Sequence, residues 1–428
     1  MGPGRRPVPA APAPPVPDAR VTPSTVDGTR VVRLYNAFQL CTGLLWWLPI
    51  FYVYQRDAGL SDEQIFRIQG IYYLAFCLLD IPTGALADRF DYPRFLLGGG
   101  ALLLLANLIP VWWPSYGGFL THFLLIALAY SLVSGAGSAY LYESLRRSGR
   151  VEAYQRAEGS ARAYTLVGRV VCLPVAGLLM QWHRPAPYLL SAACCAIGVL
   201  VALRLPALPA DPDARTGGTP PLSAALAGAW RQLRASPTLV LLMVQGVGIF
   251  TLVRICQANL YQPILAAKHL PLAGYGVLMA ATTLVEVAGA ARSSLARRIG
   301  DLRAVLALTV VMAASLALVV PAGLAGTVLA LCVFAFASGM AFPVQRTLVN
   351  SAISHAAHRA TLLSVESLVD RLVCALVVLL LGDYLARGAM NAFLVHLAVV
   401  TAAAMAVLAV LLRLARRRRA TVLEEIAR

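Results

Sequence analysis

The sequence predicts an all-α integral membrane protein whose twelve transmembrane helices form two six-helix bundles. Three observations carry the prediction. The 428 residues are 59% hydrophobic and only 13% charged, with a mean hydropathy of +0.71, whereas a soluble domain keeps about a quarter of its residues charged. The apolar residues gather into stretches close to the ~20 residues that span a bilayer. The basic residues collect in alternate connections, the asymmetry expected across a membrane.

Taken in order, residues 1–30 are rich in Pro, Ala and Arg and hold no apolar run. They read as a disordered cytoplasmic tail, because a signal peptide needs an apolar core of ~7–15 residues. The first bundle, 31–204, follows with apolar stretches at 31–54, 64–87, 94–113, 117–141, 157–180 and 186–204. Ser61 to Gln64 reads as a capping box opening the second helix. Trp112, Trp113 and Trp182 suit an interfacial aromatic belt. Residues 205–237, with Pro206, Pro209, Pro212, Gly217, Gly218, Pro220 and Pro221, form a cytoplasmic linker. The second bundle, 238–413, has stretches at 238–262, 273–296, 303–323, 326–347, 360–384 and 390–413, and 414–428 is a basic cytoplasmic tail.

Orientation rests on arginine. One side receives Arg89, Arg94, Arg146, Arg147, Arg150, Arg204, Arg215, Arg231, Arg234, Arg297, Arg298, Arg303, Arg359 and Arg416 to Arg419; the other receives little beyond Arg56, Arg184, Lys268 and Arg387. The first side is therefore cytoplasmic, and both termini lie on it, as an even helix count requires. Lys268 is the single lysine among 36 basic residues, a usage that points to a GC-rich bacterial source and so to a bacterial inner membrane.

The net charge of +16 does not point to nucleic acid, since no aromatic-interleaved basic patch occurs on a soluble stretch. The eight cysteines lie in apolar segments without a C-x-x-C pair and read as small buried hydrophobes, so no metal or other cofactor is expected. The two bundles repeat one another weakly. Ser134-Gly135 matches Ser338-Gly339, Arg156-Ala157 matches Arg359-Ala360, and Pro49-Ile50 matches Pro263-Ile264. Repeated halves are a mark of secondary transporters.

The segment Gly84-Ala-Leu-Ala-Asp88-Arg89-Phe-Asp-Tyr-Pro-Arg94 resembles the signature loop of the major facilitator superfamily, G-x-L-A-D-R-x-G-R-[KR], with Asp91 in place of the second glycine. Its second copy, Leu295 to Asp301, carries Arg297 where the acid would stand. The resemblance implies the major facilitator fold over residues 31–413 and a conformational latch at Asp88, supported by Gly84, Asp80 and Arg89. Glu143 and Arg346, at equivalent ends of helices four and ten, are candidates for the same inter-half latch, against a reading as ordinary charges at helix ends. Pro174 to Gly177 and Arg359 to Leu368 resemble segments of exporters in that superfamily. Leu132 to Gly137 resembles a third exporter motif but has Ser131 where an arginine is expected.

Ionisable groups at mid-membrane cost ~2.5–3.5 kcal/mol on insertion scales and need a partner or a function. Arg169, Arg254, Glu286, Asp370 and Arg371 lie at such depth and are assigned to the substrate and ion pathway, against the alternative of interhelical ion pairs. Arg254 and Glu286 either neutralise one another across helices seven and eight, or bind an anion and carry a proton respectively. Tyr35, Gln39, Thr42 and Trp46 make one helical stripe on helix one; Phe250, Arg254, Gln257 and Tyr261 make its counterpart on helix seven. His122 and His396 read as structural.

The resulting expectation is a secondary transporter, not an enzyme, that exports a small amphipathic organic anion by alternating access, with protons as the coupling ion. Its other partner is the lipid bilayer, and it is expected to be a monomer. Uptake by the same fold is the alternative. A membrane enzyme lacks its motif here, because no H-E-x-x-H is present, and a primary pump would need a P-loop, which is absent; a non-transporting receptor would not need so many mid-membrane charges.

Overall fold

A computed structural model describes residues 27–87, 91–208, 222–353 and 359–426. The described chain is helical throughout. The first bundle comprises α1 (Gly28–Gly43), α2 (Phe51–Asp57), α3 (Asp62–Ala87), α4 (Tyr92–Trp112), α5 (Tyr116–Arg147), α6 (Tyr154–Trp182) and α7 (Ala186–Ala202). Helix α8 (Leu222–Ala235) precedes the second bundle, which comprises α9 (Pro237–Arg254), α10 (Tyr261–Ala267), α11 (Leu272–Ala291), α12 (Asp301–Leu318), α13 (Leu324–Ala352), α14 (Arg359–Ala386) and α15 (Met390–Ile426).

Eight of the described helical segments are long and apolar enough to cross a membrane unaided. The other four spans fall short for physical reasons. Helix α7 has 17 residues; α3 and α14 carry mid-helix charges, and span one is broken into α1 and α2. The bundle surface is apolar, with Val171, Trp182, Leu329 and Val400 among its most exposed residues. Asn107, His122, Gln245, Glu366 and Asp370 are buried inside, the inversion expected when lipid is the solvent.

Span one departs from the expected continuous helix over 31–54. Pro49 offers no amide and its ring crowds the carbonyl of Leu45, so the helix is interrupted over 44–50, where the Leu48 and Ile50 amides reach back only three residues, to the Leu45 and Trp47 carbonyls. The corresponding stretch of span seven also leaves α geometry, forming a π-helix over Ile255–Leu260 just before Pro263. Two further differences lie near the linker and the C-terminus. Helix α8 occupies part of the expected linker, and α15 continues through the arginines of the expected tail, because arginine is a good helix former. Residues 209–221, with most of the linker's Pro and Gly, lie outside the described residues. In the second copy of the signature loop, Gly300 opens α12 at φ 88°, a conformation that favours glycine.

In the first bundle α1 packs on α6 and α7, α4 on α5 and α7, and α3 on α5; in the second, α9 packs on α13, α14 and α15, and α12 on α13 and α15. Two long helix pairs join the bundles, α3 with α14 and α6 with α11, and the short α2 and α10 also meet across the interface. Where α6 crosses α11, a β-carbon on Gly276 would overlap the Leu173 carbonyl, and one on Gly177 would overlap that of Leu272. Glycine at both positions lets the two backbones touch.

The core is divided unequally. We call the end where α1 and α9 begin the near end, and the opposite end the far end. At the far end, one continuous apolar cluster includes Ile50, Phe66, Phe123 and Tyr188 of the first bundle and Leu260, Tyr261, Val378 and Leu381 of the second. At the near end, the described residues fall into separate clusters, one around Tyr35, Phe38 and Tyr140 and others around Leu239, Val349 and Ala341.

Candidate functional site

The charged residues gather where the shared core gives way to the separate ones. Arg254, the last residue of α9, donates from Nη2 (2.8 Å) and Nε (3.2 Å) to Asp370 Oδ2 on α14, while Thr251 Oγ1 donates to Oδ1 at 3.0 Å. The expected Arg254–Glu286 pair is therefore not formed. Helix α14 lies against α9 and presents Asp370 to Arg254, whereas Glu286 of α11 accepts from Gln257 Nε2 at 2.9 Å, nearly one turn further along span seven. The Arg254 side chain is 39% exposed and that of Asp370 only 2%, so the pair has a wet face and a dry one.

Arg371, the next residue on α14, turns to the other bundle. Its guanidinium lies 3.7 Å over the ring of Phe76 and 3.6 Å from Asp80 Oδ2, both on α3. This pair spans the two halves; beside it Cys77 Sγ approaches the Leu368 carbonyl at 3.8 Å. Arg169, on the first bundle, bonds elsewhere. Arg169 Nε donates to the Gly43 carbonyl at 3.2 Å, capping α1 where span one breaks, and Tyr130 donates to the Thr42 carbonyl beside it at 3.2 Å. A cation there complements the negative end of a helix.

Other expected site residues fall elsewhere. Tyr35 is buried and accepts from Gln39 Nε2 at 2.8 Å, next to a polar group in which Ser138 Oγ donates to Glu158 at 3.0 Å. Trp46 is not on the stripe with them, because α1 has ended at Gly43; its amide donates to Ser191 Oγ instead, at 3.0 Å. Tyr261 is buried in the far-end core. Glu143 bonds to Arg146 and Arg147 of its own helix. Arg346 pairs with Glu366 at 2.9 Å and stacks on Phe250 and Phe342, all within the second bundle. Gly84 lies late in α3, and Asp88 and Arg89 lie outside the described residues. Buried His122 contacts Trp47, Phe123 and Tyr188, and His396 bonds to Tyr384 at 2.9 Å.

Sequence reasoning missed the residues that close the far end. Gln262 accepts from the Tyr52 amide at 2.9 Å and donates to the Leu48 carbonyl at 2.8 Å, satisfying two backbone groups at the break in span one. Asn259 of the π-helix donates to Tyr73 Oη at 2.9 Å. The available signal was the position of Gln262 beside Pro263, the repeat partner of Pro49. Discontinuous helices at matching positions of two repeats are where transporters place their sites.

Comparison with known proteins bears on this arrangement. The family profile described as Major Facilitator Superfamily matches residues 37–378. No curated protein matches the sequence. Among solved structures, a point mutant of the nucleoside transporter NupG is similar at a TM-score of 0.73 and 15% identity, covering 91% of this chain and 100% of that one. The POT family transporter PepTSo superposes at 0.70 and 14% identity, covering 91% and 98%. A bacterial homolog of the human lysosomal transporter Spinster, in an inward-facing and unoccupied conformation, gives 0.64 at 17% identity over 94% and 98%. At these identities the likeness is one of fold.

Proposed function

The chain belongs to the Major Facilitator Superfamily, and from that premise we propose that it is a secondary active transporter exporting a small organic molecule by alternating access, driven by the proton gradient. One observation supports this reading above the others: among the described residues the bundles share a core at the far end and fall into separate clusters at the near end, and the mid-membrane charges lie at the boundary. A pair of bundles built this way can exchange the closed end for the open one by rocking about the charged layer.

Charge asymmetry makes the near end cytoplasmic. On that assignment the conformer is open to the cytoplasm, the state in which an exporter loads. The segments resembling exporter motifs, Pro174–Gly177 and Arg359–Leu368, support the same direction. Coupling to protons draws support from Glu286, a mid-membrane carboxylate bonded by a neutral amide and so able to change charge without breaking an ion pair. The cross-half Arg371–Asp80 pair is proposed as a latch alongside Asp88.

The test uses inverted vesicles carrying the protein, energised by an imposed pH gradient and offered a cell extract of small metabolites. The expected result is accumulation of a discrete solute that collapses with the gradient. Accumulation only in right-side-out vesicles would reverse the direction, and no protein-dependent accumulation in either would reject transport.

A further inference from the structure

Resting on that transport reading, we infer that the substrate is a zwitterion, its acidic end held by Arg169 of the first bundle and its amino end by Glu286 of the second. The argument begins with a charge count. Arg254 is neutralised by Asp370 and Arg371 by Asp80. Among the described residues, Arg169 has no carboxylate and Glu286 no cation within ion-pair distance. Their bonds are to neutral groups, the Gly43 carbonyl and the Gln257 amide. Two opposite mid-membrane charges therefore remain uncompensated by ion pairing, one on each bundle. Such charges are costly without a partner.

Their placement fits a ligand between the halves. Arg169 and Glu286 belong to α6 and α11, a pair of helices that packs across the bundle interface. The helices are level where Gly276 meets Leu173. Toward the near end, Arg169 lies four residues beyond that level and Glu286 ten, so their backbone positions are offset by about 9 Å along the helices at 1.5 Å per residue. The two side chains bond apart from one another, to Gly43 and Gln257, and a molecule whose ammonium and carboxylate are separated by a ring-sized spacer can bridge them. Phe76 lies against Arg371, and Tyr130 bonds to the Thr42 carbonyl beside the one that Arg169 caps. They suit a flat, partly polar spacer, because phenols combine ring contact with hydrogen bonding. A simple organic anion, expected from the arginines alone, would leave Glu286 without a counter-charge.

The test is ligand-dependent melting of the purified protein in lipid nanodiscs, since a ligand that binds only the folded state raises the melting temperature. The probes are 4-(aminomethyl)phenylacetic acid, its N-acetyl derivative and its methyl ester. The expected result is stabilisation by the zwitterion, with each blocked form roughly tenfold or more weaker, the loss of one charge-assisted hydrogen bond. Arg169→Gln should weaken the zwitterion to the level of the ester and leave the ester unchanged. Glu286→Gln should do the mirror image with the N-acetyl acid, and Arg169→Lys should retain the zwitterion preference. Unliganded melting near that of the parent protein establishes that a variant is folded; if Arg169→Gln is not, the Arg169→Lys and Glu286→Gln arms still decide. The inference is overturned if the N-acetyl acid or the ester binds as tightly as the zwitterion, if Glu286→Gln leaves zwitterion binding unchanged, or if no probe stabilises the protein. Gradient-driven uptake of another solute by the vesicles above would leave the transport reading standing after such a failure.

Discussion

The Arg254–Asp370 pair makes an asymmetric prediction about stability. Arg254→Ala leaves a carboxylate whose side chain is 2% exposed without its cation, and an uncompensated buried charge of this kind costs ~3–5 kcal/mol. Thr251 continues to donate to Asp370, which places the loss near the lower figure. Asp370→Ala leaves an arginine that is 39% exposed and can hydrate through that face. Its loss should be that of charged hydrogen bonds, about 1.5–3 kcal/mol, with the exposed face pulling it to the low side. The double variant should resemble Asp370→Ala alone, so the two single losses overcount by about 3 kcal/mol, the whole of the Arg254→Ala loss. Pairing Arg254→Ala with Glu286→Ala should instead be additive within about 0.5 kcal/mol, because the structure shows no shared contact. The assay is a double-mutant cycle of reversible unfolding in detergent micelles. Equal single losses for Arg254 and Asp370, or coupling of Arg254 to Glu286, would refute the reasoning.

Three other predictions concern the two ends of the bundle. Gln262→Leu removes two hydrogen bonds to span one, worth ~1 kcal/mol each, and should shift the population toward far-end opening by about thirtyfold, read as faster labelling of a cysteine placed at Tyr52. Unchanged labelling would remove Gln262 from the closure. Gly276→Val should lower the melting temperature and loosen the α6–α11 contact, since any β-carbon there meets the Leu173 backbone; a parent-like melting curve would deny that close approach. Asp88→Asn should abolish transport with insertion and melting unchanged, and parent-rate transport would reject the latch role that the signature loop implies.

Much of this was legible in the sequence because the bilayer constrains so strongly. An α-helix satisfies its own backbone in hydrocarbon, so apolar length located the spans; the match of Pro49 with Pro263 was legible as a repeat, but not as a break in either helix. The partners of the charges were not legible. Arg254 and Glu286 are near neighbours in helical register, but Asp370, on a helix more than a hundred residues away, takes the arginine. Trp46 was misplaced for a related reason. Its spacing continues the α1 stripe only if the helix runs through Pro49, and the Ser191 and Gln262 side chains that stabilise the break come from distant segments. Helix α8 was hidden inside a segment whose Pro and Gly content dominated its reading, although its own residues contain neither proline nor more than one glycine.

The account stands most directly on mutual exclusion between the two ends. Spin labels at Glu152 and Ser351 report the near end, and labels at Asp57 and Ala267 report the far end; all four positions are exposed. Distances measured by pulsed electron resonance in nanodiscs should show the near-end pair long and the far-end pair short in the parent protein. In Gln262→Leu the near-end pair should shorten as the far-end pair lengthens, because two rocking bundles cannot open at both ends together. A far-end distance that lengthens with no matching change at the near end would contradict alternating access.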